Sequence, residues 1–278
     1  MSSISSARIH SHARAVAYPK SEEELVRLID TLNDEEIRYL VVGGMSNVIF
    51  KADRYNGVLI KTDEITTKTV AENLLVASCG LRLGTALDFI SGFDLGGIEG
   101  LYGIPGTLGG MVKQNAGAFG YEIADCFLEA NCYIPDIRTV KRVTKEEMLF
   151  SYRESMLGKI KAVLINATLR LVAKGREDIL AEVGEYRQKR LRSQPLQYPS
   201  LGSVFKRYDG VSAGYYIDKA GLKGYSIGGA RVSEKHAGFI VNTGGASAKD
   251  YLLLVEYVKD RVYSEFSIEL EEEIEIIE

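Results

Sequence analysis

An α+β chain built from α/β subdomains is the fold class this sequence predicts, and three observations carry the prediction. Helical periodicity is clear at both ends of the chain, short β-branched runs bounded by glycine recur between them, and one stretch is crowded with glycine. That stretch, residues 96–120, reads GGIEGLYGIPGTLGGMVKQNAGAFG, with nine glycines in 25 residues against 28 in the 278 of the whole chain. Glycine loses more backbone entropy on folding than any other residue. Such density points to turns of positive φ or to a backbone lying flat against a ligand. Pro105 fixes one corner. Thr107 is placed to cap a short helix, whose free N–H groups and positive end predict an anion site for a phosphate or pyrophosphate. A glycine-rich surface loop is the alternative.

In chain order, residues 21–32 form the cleanest helix: Ser21 and Glu24 make a capping box, and Leu25, Leu28, Ile29 and Leu32 share one face. Tyr39-Leu40-Val41-Val42 reads as a buried strand running into Gly43-Gly44-Met45-Ser46-Asn47, with a further strand at Val48-Ile49-Phe50. A glycine turn followed by serine and asparagine suits a second phosphate cradle of backbone N–H groups and hydroxyls. A tight hairpin explains it equally, and the dinucleotide fingerprint is absent because no helix follows. Strands are expected at 58–61 and 74–77, a helix at 84–90, strands near 128–134 and 162–172, and a charged helix over 177–192. This last helix, basic at Lys189, Arg190 and Arg192, is the candidate domain connection, although cations at a helix C-terminus also complement the dipole. Glycine-punctuated turns follow at 220–224 and 227–230, then an amphipathic helix at 249–262. As a strand, the tail 268–278 would set Glu269, Glu271, Glu273 and Glu275 on one solvated face.

The bulk numbers narrow the function classes. The length suits two domains, or one large domain with an insertion. A net charge of −4 provides no broad basic field for nucleic acid, so an anionic ligand must meet a local positive cluster. No apolar run reaches membrane-span length, and no secretory signal is visible. Cys79, Cys126 and Cys132 fit neither a metal site nor a disulfide framework and read as reduced thiols of a cytoplasmic protein. His10 and His12 form an H-x-H pair in an N-terminus expected to be mobile, with no third ligand suggested. No G-x-S-x-G elbow accompanies Ser233 and His236, which argues against a hydrolase triad. By default Arg153 is a surface arginine in a local ion pair and Ser203 a turn serine.

Several segments in order nevertheless resemble one family. They are Gly43-Gly44-Met45-Ser46-Asn47, Gly103-Ile104-Pro105-Gly106-Thr107-Leu108-Gly109-Gly110, Asn115-Ala116-Gly117-Ala118, Tyr152-Arg153-Glu154-Ser155 and Gln194-Pro195. After these come Pro199-Ser200-Leu201-Gly202-Ser203-Val204-Phe205-Lys206, Ala220-Gly221-Leu222-Lys223-Gly224, Val232-Ser233-Glu234-Lys235-His236-Ala237-Gly238-Phe239 and Leu270-Glu271-Glu272-Glu273-Ile274. The set resembles the flavin-dependent UDP-N-acetylenolpyruvoylglucosamine reductases (UDP-N-acetylmuramate dehydrogenases, the MurB family) in their compact type II form, from about residue 13 to the C-terminus.

The resemblance implies an FAD-binding fold of the PCMH type, with FAD-binding subdomains at 1–62 and 63–185 and a C-terminal α+β substrate domain at 186–278. It also implies non-covalent FAD, NADPH as co-substrate and a UDP-sugar substrate in peptidoglycan precursor synthesis. The expected protein is a cytoplasmic monomer without metal, nucleic-acid or membrane partners. The cofactor would be held by Gly43, Gly44, Met45, Ser46, Asn47, Gly103, Ile104, Pro105, Gly106, Thr107, Gly109, Gly110, Asn115, Ala116 and Gly117. Arg153 matches the residue that stabilises the developing enolate, Glu273 the glutamate that assists it, and Ser203 the proton donor. Tyr152, Lys206, Arg207, Lys223 and His236 fall at substrate-binding positions. Two departures stand out. Met45 sits where the pattern has glycine, predicting positive φ or crowding of the cofactor, and Arg8-Ile9-His10-Ser11-His12-Ala13 replaces an expected Gly-Gly pair. A non-catalytic UDP-sugar-binding paralogue with weak or no FAD binding is the alternative these departures suggest.

Overall fold

The computed structural model describes residues 4–278, which divide into two compact units. The larger holds Ala15–Gly44 and Gly57–Gln188; the smaller holds the N-terminal segment through Arg14, Met45–Asn56 and Lys189–Glu278. The last boundary falls inside the helix Arg176–Ser193, the charged helix expected as a connection. Of the three cations at its basic end, Arg190 is only 5% exposed, while Lys189 and Arg192 face solvent.

The core of the larger unit is an antiparallel sheet in the order Thr139–Thr144, Phe127–Ile134, Val163–Arg170, Leu74–Ser78, Lys68–Ala71. Beside it Tyr39–Val42 pairs in parallel with Val58, Leu59, Ile60 and Lys61. The helix Glu22–Asp34 buries Leu25, Ile29 and Leu32, the i, i+4, i+7 face read from its sequence. Ser21 caps it by accepting the Glu24 N–H at 3.2 Å, while the Glu24 carboxylate turns back to the Lys20 N–H at 2.8 Å. The helix Leu83–Ile90 closes the same core with Leu83, Ala86, Leu87 and Ile90.

The smaller unit folds around an antiparallel sheet in the order Ser200–Ser203, Phe239–Asn242, Ala230–Val232, Ser226–Ile227. The helix Ala248–Phe266, started by a reciprocal Ser247/Asp250 capping box, buries Tyr251, Leu254, Val255, Val258 and Val262 in the core of this unit. A parallel pair, Val48–Phe50 with Glu275–Ile277, brings the C-terminus beside the segment that follows Asn47.

Four expectations are corrected. Tyr39–Val42 and Val48–Phe50 are not partners, so no hairpin encloses the Gly43-Gly44 turn. The tail is a strand only at Glu275–Ile277, and the four alternating glutamates do not share a strand face. Instead Ile268, Leu270 and Ile274 are buried, and Glu271 and Glu272 pair with Lys206 and Lys259. Burial of three apolar side chains and two local cations overrides a period-2 pattern that has no partner strand. His12 is not in a loose terminus: it opens the strand His12–Ala17, and its N–H donates to Asp53 O at 2.7 Å. Finally, the short helix Leu108–Lys113 does start at Thr107, but the Thr107 side chain makes no capping bond.

Candidate functional site

Gly43-Gly44 and the Gly103–Thr107 turn lie against each other within the larger unit. A Cβ on Gly44 would stand 2.8 Å from Gly106 Cα, and one on Gly43 would overlap Thr107 Oγ1. No side chain fits at either position, so the residue type is dictated by the approach of two backbones. Gly103 and Gly106 hold φ values of +79° and +130°, which complete the turn around Pro105. Thr107 is 0% exposed, and its Oγ1 has no hydrogen-bond partner. A buried hydroxyl at the edge of a glycine cradle is an unmet polar group, and native interiors seldom leave one.

The predicted anion site at the helix start is corrected. Leu108 N–H donates to Leu81 O at 2.8 Å and Gly109 N–H to Cys79 O at 2.8 Å, so both first-turn amides are spent inside the fold. Donors for an anion must come from the facing glycine turns and Thr107. A cavity of about 570 Å³ opens beside them, within the usual size of small-molecule sites, with Val42, Gly43, Thr62, Cys79, Gly109 and Lys113 in its lining. Burial pushes the Cys79 thiol up to about 12, so it is a neutral wall of this cavity and no nucleophile. Cys126 and Cys132 are likewise buried free thiols. Lys61, which sequence reading had placed merely at the end of a strand, is 3% exposed and donates from Nζ to Gly43 O at 2.8 Å.

Arg153 lies in the larger unit on a tight turn closed by the Ser151–Glu154 bridge, with φ of +58°. It is held by backbone carbonyls: Nη2 donates to Gly117 O at 2.8 Å and Nη1 to Asn115 O at 3.4 Å, while its guanidinium stands 5.1 Å from the Tyr152 ring centroid. Asn115 sits beneath this turn. Its Nδ2 donates to Glu122 Oε2 and to Ser151 O, both at 2.9 Å, and its Oδ1 accepts the Ala124 N–H at 3.2 Å. The amide of Asn115 is therefore fully committed to the protein, and what remains for a ligand in Asn115-Ala116-Gly117 is backbone.

In the smaller unit Ser203 ends the strand Ser200–Ser203, after Gly202 at φ +79°. The Glu273 N–H donates to Val204 O at 2.7 Å, which sets Glu273 beside the residue that follows Ser203. Asn47 supports the same place: Nδ2 donates to Glu273 O at 2.8 Å, and its carbonyl accepts the Glu275 N–H at 2.8 Å. Lys206 ion-pairs with Glu271, and Lys223 with Asp218 at 2.6 Å. Arg207 is exposed. His236 accepts the Gly238 N–H on Nδ1 at 3.1 Å, so its proton resides on Nε2, and burial holds its pKa below the ordinary value. Met45 has φ +46°, as feared for a non-glycine, but its side chain is 3% exposed and shares a small cavity with Ala7, Ile9, Val48, Ile49 and Leu201 of its own unit. The Ser6 N–H donates to Met45 O at 3.2 Å. The two departures from the family pattern thus pack against each other.

Glycine turns that exclude every side chain, an unmet buried hydroxyl and an adjoining cavity fit the diphosphate end of a dinucleotide. The class is settled by comparison: residues 13–141 match the FAD-binding domain family, and residues 194–277 match the C-terminal domain of UDP-N-acetylenolpyruvoylglucosamine reductase. The fold is accordingly an FAD-binding domain joined to a reductase-type C-terminal domain, and the chain is a flavin oxidoreductase. Relatives narrow this further. The UDP-N-acetylenolpyruvoylglucosamine reductase of Caldicellulosiruptor bescii is 43% identical over 97% of this chain and 86% of its own length, and that of Listeria monocytogenes is 39% identical over 93% and 87%. The crystal structure of the reductase from Thermus caldophilus superposes with a TM-score of 0.83 at 31% identity, covering 100% of this chain and 97% of the other. The chain belongs to the UDP-N-acetylenolpyruvoylglucosamine reductase family.

Proposed function

We propose that this chain uses FAD and NADPH to reduce UDP-N-acetyl-3-O-(1-carboxyvinyl)-glucosamine to UDP-N-acetylmuramate, a step in peptidoglycan precursor synthesis. The observation that carries the reading is the glycine cradle at Gly43, Gly44 and Gly106 with the buried Thr107 hydroxyl, in a chain whose relatives bear this reductase name. In the domain reading, 1–62 and 63–185 serve FAD and 186–278 serves the substrate. When bound, FAD supplies a two-electron carrier that takes hydride from NADPH and gives it to the vinyl carbon.

The roles of the chain's own residues follow from where charge develops. Hydride arriving at the β-carbon leaves an electron pair on the α-carbon, delocalised into the adjoining carboxylate. Arg153 suits that anion, because a planar guanidinium matches a carboxylate and its turn already fixes it through Gly117 O. Glu273, aligned by its N–H to Val204 O, assists by hydrogen bonding to the acid form of the substrate. Ser203 Oγ gives its proton to the α-carbon, completing the saturated product, and regains one from solvent. Lys206, with Nζ on Glu271, follows Ser203 by three residues and favours the transient alkoxide. Tyr152, Arg207, Lys223 and His236 are assigned to the UDP-sugar.

An anaerobic absorbance experiment tests the whole reading. NADPH should bleach a flavin band, and the enolpyruvyl substrate should restore it without oxygen. Ser203→Ala should keep the bleaching rate and slow reoxidation by substrate about 10²–10⁴-fold, the usual worth of a positioned proton donor. If both half-reactions slow equally, Ser203 is structural. A colourless protein that ignores added FAD favours the non-catalytic UDP-sugar-binding reading instead.

A further inference from the structure

We infer that Lys61 is a positioning residue for the flavin diphosphate, its buried ammonium holding the Gly43–Gly44 peptide so that the N–H of Gly44 is presented to the glycine cradle. The inference rests on the FAD reading of that cradle and adds a residue to it. Lys61 closes a strand segment in which Val58, Leu59 and Ile60 are 9%, 0% and 0% exposed, and it is itself among the buried polar residues at 3%. Burying an ammonium is expensive, and replacing a buried ion pair by apolar residues of similar volume is often neutral or stabilising. Packing alone therefore gives no reason for a lysine here. Its partners do: Nζ donates to Gly43 O at 2.8 Å and lies 3.3 Å from Asp63 Oδ1.

The consequence is geometric. In a planar trans peptide the carbonyl and the following N–H point in opposite directions. With Gly43 C=O drawn toward Lys61, the N–H of Gly44 is directed away from it. Gly44 Cα is also the atom that faces Gly106, where a Cβ would lie 2.8 Å from Gly106 Cα. The cation behind the carbonyl polarises the amide and makes that N–H a stronger donor to an anion. It also sets an ammonium, paired on its other side with Asp63, one peptide away from the cradle in a region screened from water. A chain of net charge −4 needs such a local cation, since its overall field repels the ligand.

The experiment uses the full-length chain stripped of flavin, titrated by fluorescence with FAD and with riboflavin, which carries the same ring system without a diphosphate. Lys61→Met should weaken FAD about tenfold or more, the worth of a charge-assisted contact, while riboflavin binds as in the wild type. Lys61→Gln keeps an N–H donor for Gly43 O but no charge, and its FAD affinity should fall between the two. If Lys61→Met fails to fold, the FAD-to-riboflavin comparison in Lys61→Gln decides. Unchanged FAD affinity in the variants overturns the inference alone, and so does an equal loss for both ligands, which marks a general defect of the fold. A wild-type chain that binds neither FAD nor riboflavin overturns the cofactor reading itself, and the inference with it.

Discussion

At Met45 a residue that looks wrong for its family is accommodated by a change elsewhere in the chain. A non-glycine at φ +46° carries a backbone cost of about 1–3 kcal/mol. Its side chain is 3% exposed, and burying a methionine stabilises by about 1.5–3 kcal/mol. Removing it also leaves a cavity beside Ala7, Ile9 and Leu201, and core Met→Ala changes cost about 2–5 kcal/mol. Met45→Gly should therefore lower the unfolding free energy by about 1–3 kcal/mol, because the lost packing outweighs the relieved strain. FAD affinity should stay at the wild-type value, since the side chain points into the core of its own unit. Urea unfolding and an FAD titration on the same variant check the two halves; a tighter flavin complex would show that Met45 does crowd the cofactor. The positive φ was legible from a missing glycine. The direction of the side chain was not, because it depends on Ala7 and Ile9, which no local pattern connects to residue 45.

Among the elements, the turn 151–154 illustrates what sequence motifs leave out. Tyr152-Arg153-Glu154-Ser155 and Asn115-Ala116-Gly117-Ala118 were legible as separate motifs, with asparagine assigned to the cofactor. The structure joins them, for the Asn115 side chain holds Ser151 O, Glu122 and the Ala124 N–H, and its carbonyl accepts from Arg153. Asn115 is 1% exposed at φ +39°, so its replacement leaves three half-buried partners without their bond and strains the backbone. Asn115→Ala should cost about 2–4 kcal/mol, from two or more lost bonds with unsatisfied partners. Asn115→Asp should be worse at pH 7, because a carboxylate would then face Glu122 and two like charges would share one site. The repulsion needs both carboxylates charged, so it should ease in acid and the Asp variant should recover to the Ala level or above. Urea midpoints at pH 7 and pH 4.5 measure this; Asp and Ala variants equal at both values would remove Glu122 from the account. Long periodic elements such as Glu22–Asp34 and Ala248–Phe266 were readable because burial of one face writes itself into every third or fourth residue. The tail was misread because alternation says nothing of whether a partner strand exists. The helix start at Leu108 was misread because the carbonyls of Leu81 and Cys79 that consume its amides lie more than 25 residues upstream.

For the molecule as a whole, the sequence suggested consecutive domains, while the chain crosses between two units at residues 14, 44, 56 and 188. Such crossings rest on contacts between segments far apart in sequence, and composition shows only neighbours. Each unit has its own apolar core, one around Leu25, Ile60 and Leu75 and the other around Val204, Ile240 and Tyr251. Two cores joined by several crossings make simple two-state unfolding the wrong default. The glycine cradle, Thr107 and Lys61 all belong to the larger unit, so flavin binding should stabilise that unit most directly. At a free FAD concentration 100 times the dissociation constant, mass action contributes about 2.7 kcal/mol. For a unit of this size that corresponds to a rise of about 5–11 °C in its transition temperature. Calorimetry of the flavin-free chain with and without FAD gives the shift, and hydrogen exchange resolved by peptide assigns it. Protection should concentrate in 39–44, 57–62 and 103–113. Protection confined instead to 189–278 would place the flavin on the smaller unit, and the cradle would then need another ligand to account for the buried Thr107 hydroxyl.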